Sequence, residues 1–144
     1  MNKIIPYGKQ YIEKRDIVAV TEALKNDKVT TGPYVKKFEN KISQFVKSKY
    51  STVCSSGTAA LYLAFQSINL KKNDVIIMPC ITFVSSYSIA KMFGAKVYLA
   101  DVDPNNGQMT PNDVIDCCKK YKIKKLKLVV PMYHGGYPVN AKNF

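Results

Sequence analysis

Cys54-Ser55-Ser56-Gly57-Thr58-Ala59-Ala60-Leu61 decides how the chain is read. Before it, Tyr50-Ser51-Thr52-Val53-Cys54 is short and β-prone; after it, residues 59–68 (AALYLAFQSI) form an apolar helical stretch. A strand therefore ends, a turn of small residues follows, and a helix begins at once. The first-turn N–H groups of such a helix have no internal partners, and its dipole favours negative charge. Gly57 lets the backbone approach a ligand closely, and Thr58 adds a hydroxyl. That combination is a seat for a phosphate. Ser55 or Ser56 acting simply as an N-cap explains the same residues equally well, so both readings stand at this level. The stretch is neither a Walker A loop nor a G-x-G-x-x-G fingerprint, which disfavours ATP and NAD.

Working outward, residues 74–79 (DVIIMP) are a buried-type strand closed by proline. Residues 84–93 form a helix ended by Gly94, and residues 96–100 (KVYLA) form a strand. Thr110-Pro111-Asn112-Asp113 is a helix start, with Thr at the cap, Pro at the first helical position and an acid in the first turn. That helix runs to about Tyr121, and residues 126–131 (LKLVVP) make another strand. The order from Tyr50 is β-α-β-α-β-α-β. Continuously apolar strands separated by helices imply a parallel sheet covered on both faces, here a partial doubly wound α/β layer. Ligands in such sheets sit beyond the carboxyl ends of the strands. Upstream, residues 1–12 read as an extended arm. Two amphipathic helices follow: Asp16 to Leu24, stopped by Asn26-Asp27-Lys28, and one carrying Val35, Phe38, Ile42, Phe45 and Val46. Thr30-Thr31-Gly32-Pro33 is the turn between them. The expected division is an arm with two helices over residues 1–49 and an α/β layer over 50–144. The closing segment from Val139 to Phe144 reads as the opening of a helix.

Composition sets the outer limits. The 144 residues are 47% hydrophobic, too apolar for a disordered chain. The longest apolar run, Val75 to Ile81, is far short of the roughly 20 residues that span a bilayer. The start breaks at Pro6 and turns charged before any stretch of signal length, so a cytoplasmic location is expected. The formal net charge is +12, yet Arg15 is the single arginine beside 21 lysines. Nucleic-acid readers lean on arginine for bidentate contacts, so that class is disfavoured despite the dense run KKYKIKKLK at 119–127. The run reads first as a solvated helix end and loop, and second as an attractor of an anionic partner. The four cysteines, Cys54, Cys80, Cys117 and Cys118, form no C-x-x-C, and His134 is the one histidine. Neither a metal site nor a disulfide framework is expected, and the thiols are expected to be reduced and mostly buried.

Three further positions carry two readings each. Phe83, just past a strand end, either stacks on a planar ligand ring or is a core phenylalanine under the next helix. Asp101 and Asp103 are either paired carboxylates or, as D-x-D-P-N-N-G suggests, turn residues bonding their own backbone. His134 lies among glycines with no carboxylate in sequence to orient it, which weakens a catalytic role.

Taken together these residues resemble the amino-terminal part of the pyridoxal 5'-phosphate (PLP)-dependent nucleotide-sugar aminotransferases, the DegT/StrS group. The matching segments run in family order. They are the helix from Asp16 to Leu24, Val29-Thr30-Thr31-Gly32-Pro33, Phe38-Glu39, and Ser55 through Leu61. Val75-Ile76-Ile77-Met78-Pro79, Thr82-Phe83-Val84, Gly94-Ala95, Asp101-Val102-Asp103, and Val130-Pro131 through Gly136 with Pro138 complete the series.

The resemblance implies part of the large domain of fold-type I PLP enzymes, with residues 50–144 as its first half. It implies that Gly57, Thr58 and Ala59 hold the coenzyme phosphate, that Phe83 stacks on the pyridine ring, and that Thr30, Thr31 and Gly32 lie at the edge of the sugar site. The implied reaction moves an amino group, commonly from glutamate, to a keto carbon of a nucleotide-linked sugar, for polysaccharide, glycan or amino-sugar biosynthesis. The family's site lies at a homodimer interface. Tyr133 stands where many members carry histidine, with His134 one position later. The family's Schiff-base lysine and its pyridine-holding acid lie beyond residue 144, so no catalytic residue is assigned within the chain. The chain alone is expected to be inactive and unstable, or to need a complementing carboxyl-terminal polypeptide. The other readings are a pseudoenzyme that binds PLP or a nucleotide sugar without turnover, and a lysine-based nucleic-acid binder.

Overall fold

The computed structural model describes residues 8–25, 28–136 and 141–144. The chain divides into two compact units, Met1–Val53 and Cys54–Phe144.

In the first unit, helix α1 spans Lys14–Leu24 and α2 spans Pro33–Val46. The sequence places the start of α1 at Asp16; it starts earlier because Asp16 acts as part of the cap, its Oδ2 accepting the Glu13 N–H at 2.8 Å. Asn26 and Asp27, read as the stop, lie outside the described residues, as do residues 1–7 of the expected arm. Residues 8–13 are neither helix nor strand. Pro33 takes the first turn of α2, with Gly32 as its N-cap. Thr31 is left-handed at φ 50°, and a Cβ on Gly32 would collide with the Lys28 carbonyl oxygen, so the tightness of this turn requires glycine. Both helices carry the apolar stripe expected of them, yet neither buries a residue: Ile17 is 59% exposed and Phe45 85%.

The second unit holds α3 (Gly57–Ser67), β1 (Val75–Pro79), α4 (Val84–Met92), β2 (Lys96–Ala100), α5 (Pro111–Lys120) and β3 (Leu128–Val129). The three strands form a parallel sheet in the order β2-β1-β3. Ile76 pairs with Val97 on one side and Leu128 on the other. Alternation along β1 explains why its run is continuously apolar. Ile76 and Met78 face Phe65, Leu70, Ile89 and Ala90 from α3, α4 and the turn after α3. Ile77 faces the other way, toward Met109, Val114 and Cys117 beside α5. All three β1 side chains are fully buried, each worth about 1.5–3 kcal/mol relative to exposure. Gly94 ends α4 at φ +74°, where a Cβ would press on Lys72 at 3.1–3.3 Å. Thr110 caps α5 as expected and also forms a capping box with Asp113, the Thr110 N–H donating to Asp113 Oδ2 at 2.7 Å.

Three expectations change. Tyr50-Ser51-Thr52-Val53-Cys54 is not a strand, so the described sheet has three strands rather than four. In that sheet β1 is central, paired with β2 on one side and β3 on the other. Part of the hydrogen bonding of residues 50–54 goes to α2 instead: Ser51 Oγ donates to the Glu39 carbonyl at 2.7 Å, and the Val53 N–H donates to Glu39 Oε1 at 3.2 Å. The strand read over 126–131 shortens to Leu128–Val129, because its pairing with β1 covers only Ile76 and Ile77. The closing segment makes a single 3-10 turn, Ala141–Asn143, while residues 137–140 lie outside the described residues.

Candidate active site

The carboxyl ends of β1 and β3 and the starts of α3 and α4 meet around one concavity of about 340 Å³. Gly57 and Thr58 line it from the first turn of α3, Thr82 and Phe83 from the turn after β1, and Met132 from beyond β3. The parallel sheet produces this convergence, since every strand delivers its following turn to the same edge.

The start of α3 bears out the N-cap reading of its sequence. Ser56 is the N-cap, its Oγ accepting the Ala59 N–H at 3.1 Å, and the Ala60 N–H donates to the Ser56 carbonyl at 3.0 Å. The N–H groups of Gly57 and Thr58 donate to no described residue, and both residues are exposed. A Cβ added at Gly57 meets no atom within 4 Å. Capping thus consumes one first-turn amide and leaves two aimed outward at the positive end of the helix. Among the described residues no ionisable side chain lines the concavity. Nothing in its lining opposes an anion there.

Phe83 is 70% exposed at the N-cap of α4, which overturns its reading as a core phenylalanine. It lines the concavity that Gly57 and Thr58 share. Ala59 is half-buried in the same turn, its amide held by Ser56. Thr30, Thr31 and Gly32 belong to the first unit, where the Thr31 hydroxyl donates to the Thr30 carbonyl at 2.7 Å.

The two aspartates are turn residues. Asp101 Oδ1 accepts the Val102 N–H at 2.9 Å, and Asp103 Oδ1 accepts the Asn105 N–H at 2.8 Å. His134 is exposed, and the hydrogen bonds recorded for it are made by its backbone. Its N–H donates to Gln108 Oε1 at 3.3 Å, and its carbonyl accepts from Gln108 Nε2 at 3.0 Å. Gln108 is only 2% exposed, and it ties the turn after β3 to the turn after β2. Sequence reasoning passed over Gln108, because a glutamine between Gly107 and Met109 carries no mark of burial. Ser85 and Ser86, buried in the first turn of α4 and lining the concavity, were missed for the same reason.

The thiols are less buried than expected. Cys117 alone is buried, while Cys80 is exposed beyond β1 with its Sγ 3.9 Å from Asp101 Oδ1. Burial, then the neighbouring Cys118, push the Cys117 thiol above its ordinary pKa, against a smaller opposing pull from Lys120. Among the described residues no group of three or more His, Cys, Asp or Glu is placed to hold a metal ion. No described helix is long and apolar enough to cross a membrane.

Similar proteins share this fold. The fold superposes on the Streptococcus pneumoniae sugar-aminotransferase candidate Spr1654 in its PMP form, with a TM-score of 0.82 at 23% identity, over 96% of this chain and 34% of that one. The PLP form of the same protein matches with a TM-score of 0.71 at 26% identity, over 78% and 29%. An aminotransferase from Psychrobacter cryohalolentis matches with a TM-score of 0.76 at 25% identity, over 92% and 33%. The chain therefore spans about a third of the length of these solved relatives, and its α/β layer corresponds to part of the fold-type I aminotransferase architecture. The family model for the DegT/DnrJ/EryC1/StrS aminotransferases matches residues 10–142. With nearly the whole chain covered by that match, the protein belongs to the DegT/DnrJ/EryC1/StrS aminotransferase family.

Proposed function

We propose that this chain supplies the phosphate seat and ring platform of a PLP-dependent sugar aminotransferase. The free, exposed amides of Gly57 and Thr58 beside the exposed ring of Phe83 carry this reading. The coenzyme is the one named for the PLP and PMP forms of the Streptococcus pneumoniae relative. Gly57 and Thr58 donate N–H groups to the phosphate, Thr58 adds its hydroxyl, and Ala59 sits in the turn that presents them. Phe83 covers the ring and keeps water from one face. Thr30, Thr31 and Gly32 border the sugar. When bound, PLP supplies an electron sink for moving an amino group. The amino group passes from a donor such as glutamate to a keto carbon of a nucleotide-linked sugar, in the making of polysaccharides or amino sugars. The assembly is a cytoplasmic homodimer or a complex with a complementing polypeptide.

Among the described residues no lysine lines the concavity, which supports the reading that the reactive amine is supplied from elsewhere and that this chain is inactive alone. The same observation favours a second reading, a non-catalytic PLP- or nucleotide-sugar-binding fragment. Co-expression with any polypeptide encoded downstream distinguishes the two. A yellow complex that aminates a keto nucleotide sugar from glutamate, and loses both properties in Gly57→Asp, supports the enzyme. Bound coenzyme with aldehyde-like absorbance that borohydride cannot fix to protein supports the binding fragment. A complex whose colour and activity are indifferent to Gly57→Asp refutes the assigned seat.

A further inference from the structure

The opposite edge of the sheet carries a second concavity, of about 270 Å³. It lies where the strands begin. Val75 opens β1 and pairs with Lys96, which opens β2. The Lys127 N–H donates to the Val75 carbonyl at 2.9 Å, just before β3. The connection from α5 to β3 crosses this edge, and Lys122 turns left-handed at φ 52° to start it. Lys96, Lys122, Lys124, Lys125 and Lys127 all line the concavity and are exposed. Among the described residues Asp74 is the single carboxylate in the lining, and its Oδ2 already accepts the Lys71 N–H at 2.9 Å. None of the five lysines has an ion-pair partner among the described residues. Five like charges brought together without partners repel one another, and a multivalent anion relieves that repulsion. Tyr98 and Tyr121, in ring contact at 4.9 Å, form one wall.

We propose that this edge is a binding site for an oligophosphate, an anion with two or three linked phosphoryl groups. The lysines are point charges suited to phosphoryl oxygens rather than to bidentate base reading, and the site is a small concavity rather than a flat face. It lies at the far end of β1 from the coenzyme seat, roughly 13 Å along a five-residue strand. It is independent of the PLP reading, and its test involves no coenzyme.

The probe is tripolyphosphate, titrated calorimetrically into the full chain. One-to-one binding is expected, weakened several-fold between about 50 and 200 mM salt. Lys122→Glu/Lys125→Glu weakens it by about tenfold or more, whereas Lys41→Glu/Lys91→Glu, with the same change of net charge, leaves it within about twofold. Circular dichroism of both variants establishes that they fold. Lysine acetylation read by mass spectrometry gives a second measurement, with tripolyphosphate expected to protect Lys96 and the 122–127 lysines selectively. No binding, equal loss in both variants, or uniform protection overturns the site. Tighter binding to duplex DNA or to anionic phospholipid vesicles than to tripolyphosphate overturns the ligand class.

Discussion

Replacing Gly57 with alanine separates what the fold needs at this position from what the coenzyme needs. The fold needs nothing: a Cβ there meets no atom within 4 Å, and Gly57 is not among the positive-φ glycines. Alanine exceeds glycine in helix propensity by up to about 1 kcal/mol, and less at a first-turn position, so a gain of roughly 0.5 kcal/mol is expected. In thermal unfolding that is a rise of about 1–2 °C. The coenzyme needs the opposite. The methyl group takes up open space beside the free N–H groups of Gly57 and Thr58, which donate to nothing else described. Hydrogen bonds to a charged group contribute about 1.5–3 kcal/mol each, so displacing one is expected to weaken binding by roughly 10- to 150-fold. The probe is pyridoxamine phosphate, which has the phosphate and ring but no aldehyde to react with the 21 lysines. Its fluorescence is titrated against the chain and against Gly57→Ala. Equal affinity for the two proteins, with the variant still folded, would refute the placement of the phosphate.

Other substitutions separate binding from folding in the same way. Phe83→Leu is expected to lower pyridoxamine phosphate affinity several-fold while shifting the melting temperature little, because the ring is mostly exposed. Gln108→Leu leaves the His134 N–H and carbonyl without their buried partner and should cost about 1–3 kcal/mol in urea unfolding. Iodoacetamide should label exposed Cys80 well before Cys117, whose raised pKa keeps it protonated; peptide mass spectrometry reads the order. At high pH the folded state holds that proton more tightly than the unfolded chain does. The stability it contributes is therefore lost as pH rises above the ordinary thiol value. The exposed apolar stripes of α1 and α2 predict a chain that self-associates or binds a partner, so a monomeric, cooperatively unfolding species in size-exclusion and calorimetric runs would count against that expectation.

Most of the layered unit was written locally. The run Val75–Pro79 had to be buried on both faces, Thr110 and Asp113 had to start a helix, and Gly94 had to end one. Each is a matter of neighbours within a few residues, where pattern and propensity act. The small-residue turn before α3 was legible for the same reason, and Ser56 turned out to cap the helix without using up its amides. Tertiary structure decided the rest. Whether residues 50–54 form a strand depends on a partner distant in sequence, and part of their hydrogen bonding goes to Glu39 of α2 instead. Whether Phe83 is core or platform depends on what stands above it, and nothing described does. Gln108 became a buried clamp, and Lys96 joined the lysines of the 122–127 segment, only because parallel pairing places residues distant in sequence at one edge. Local sequence fixes the backbone's preferences, whereas burial and convergence are properties of elements packed together.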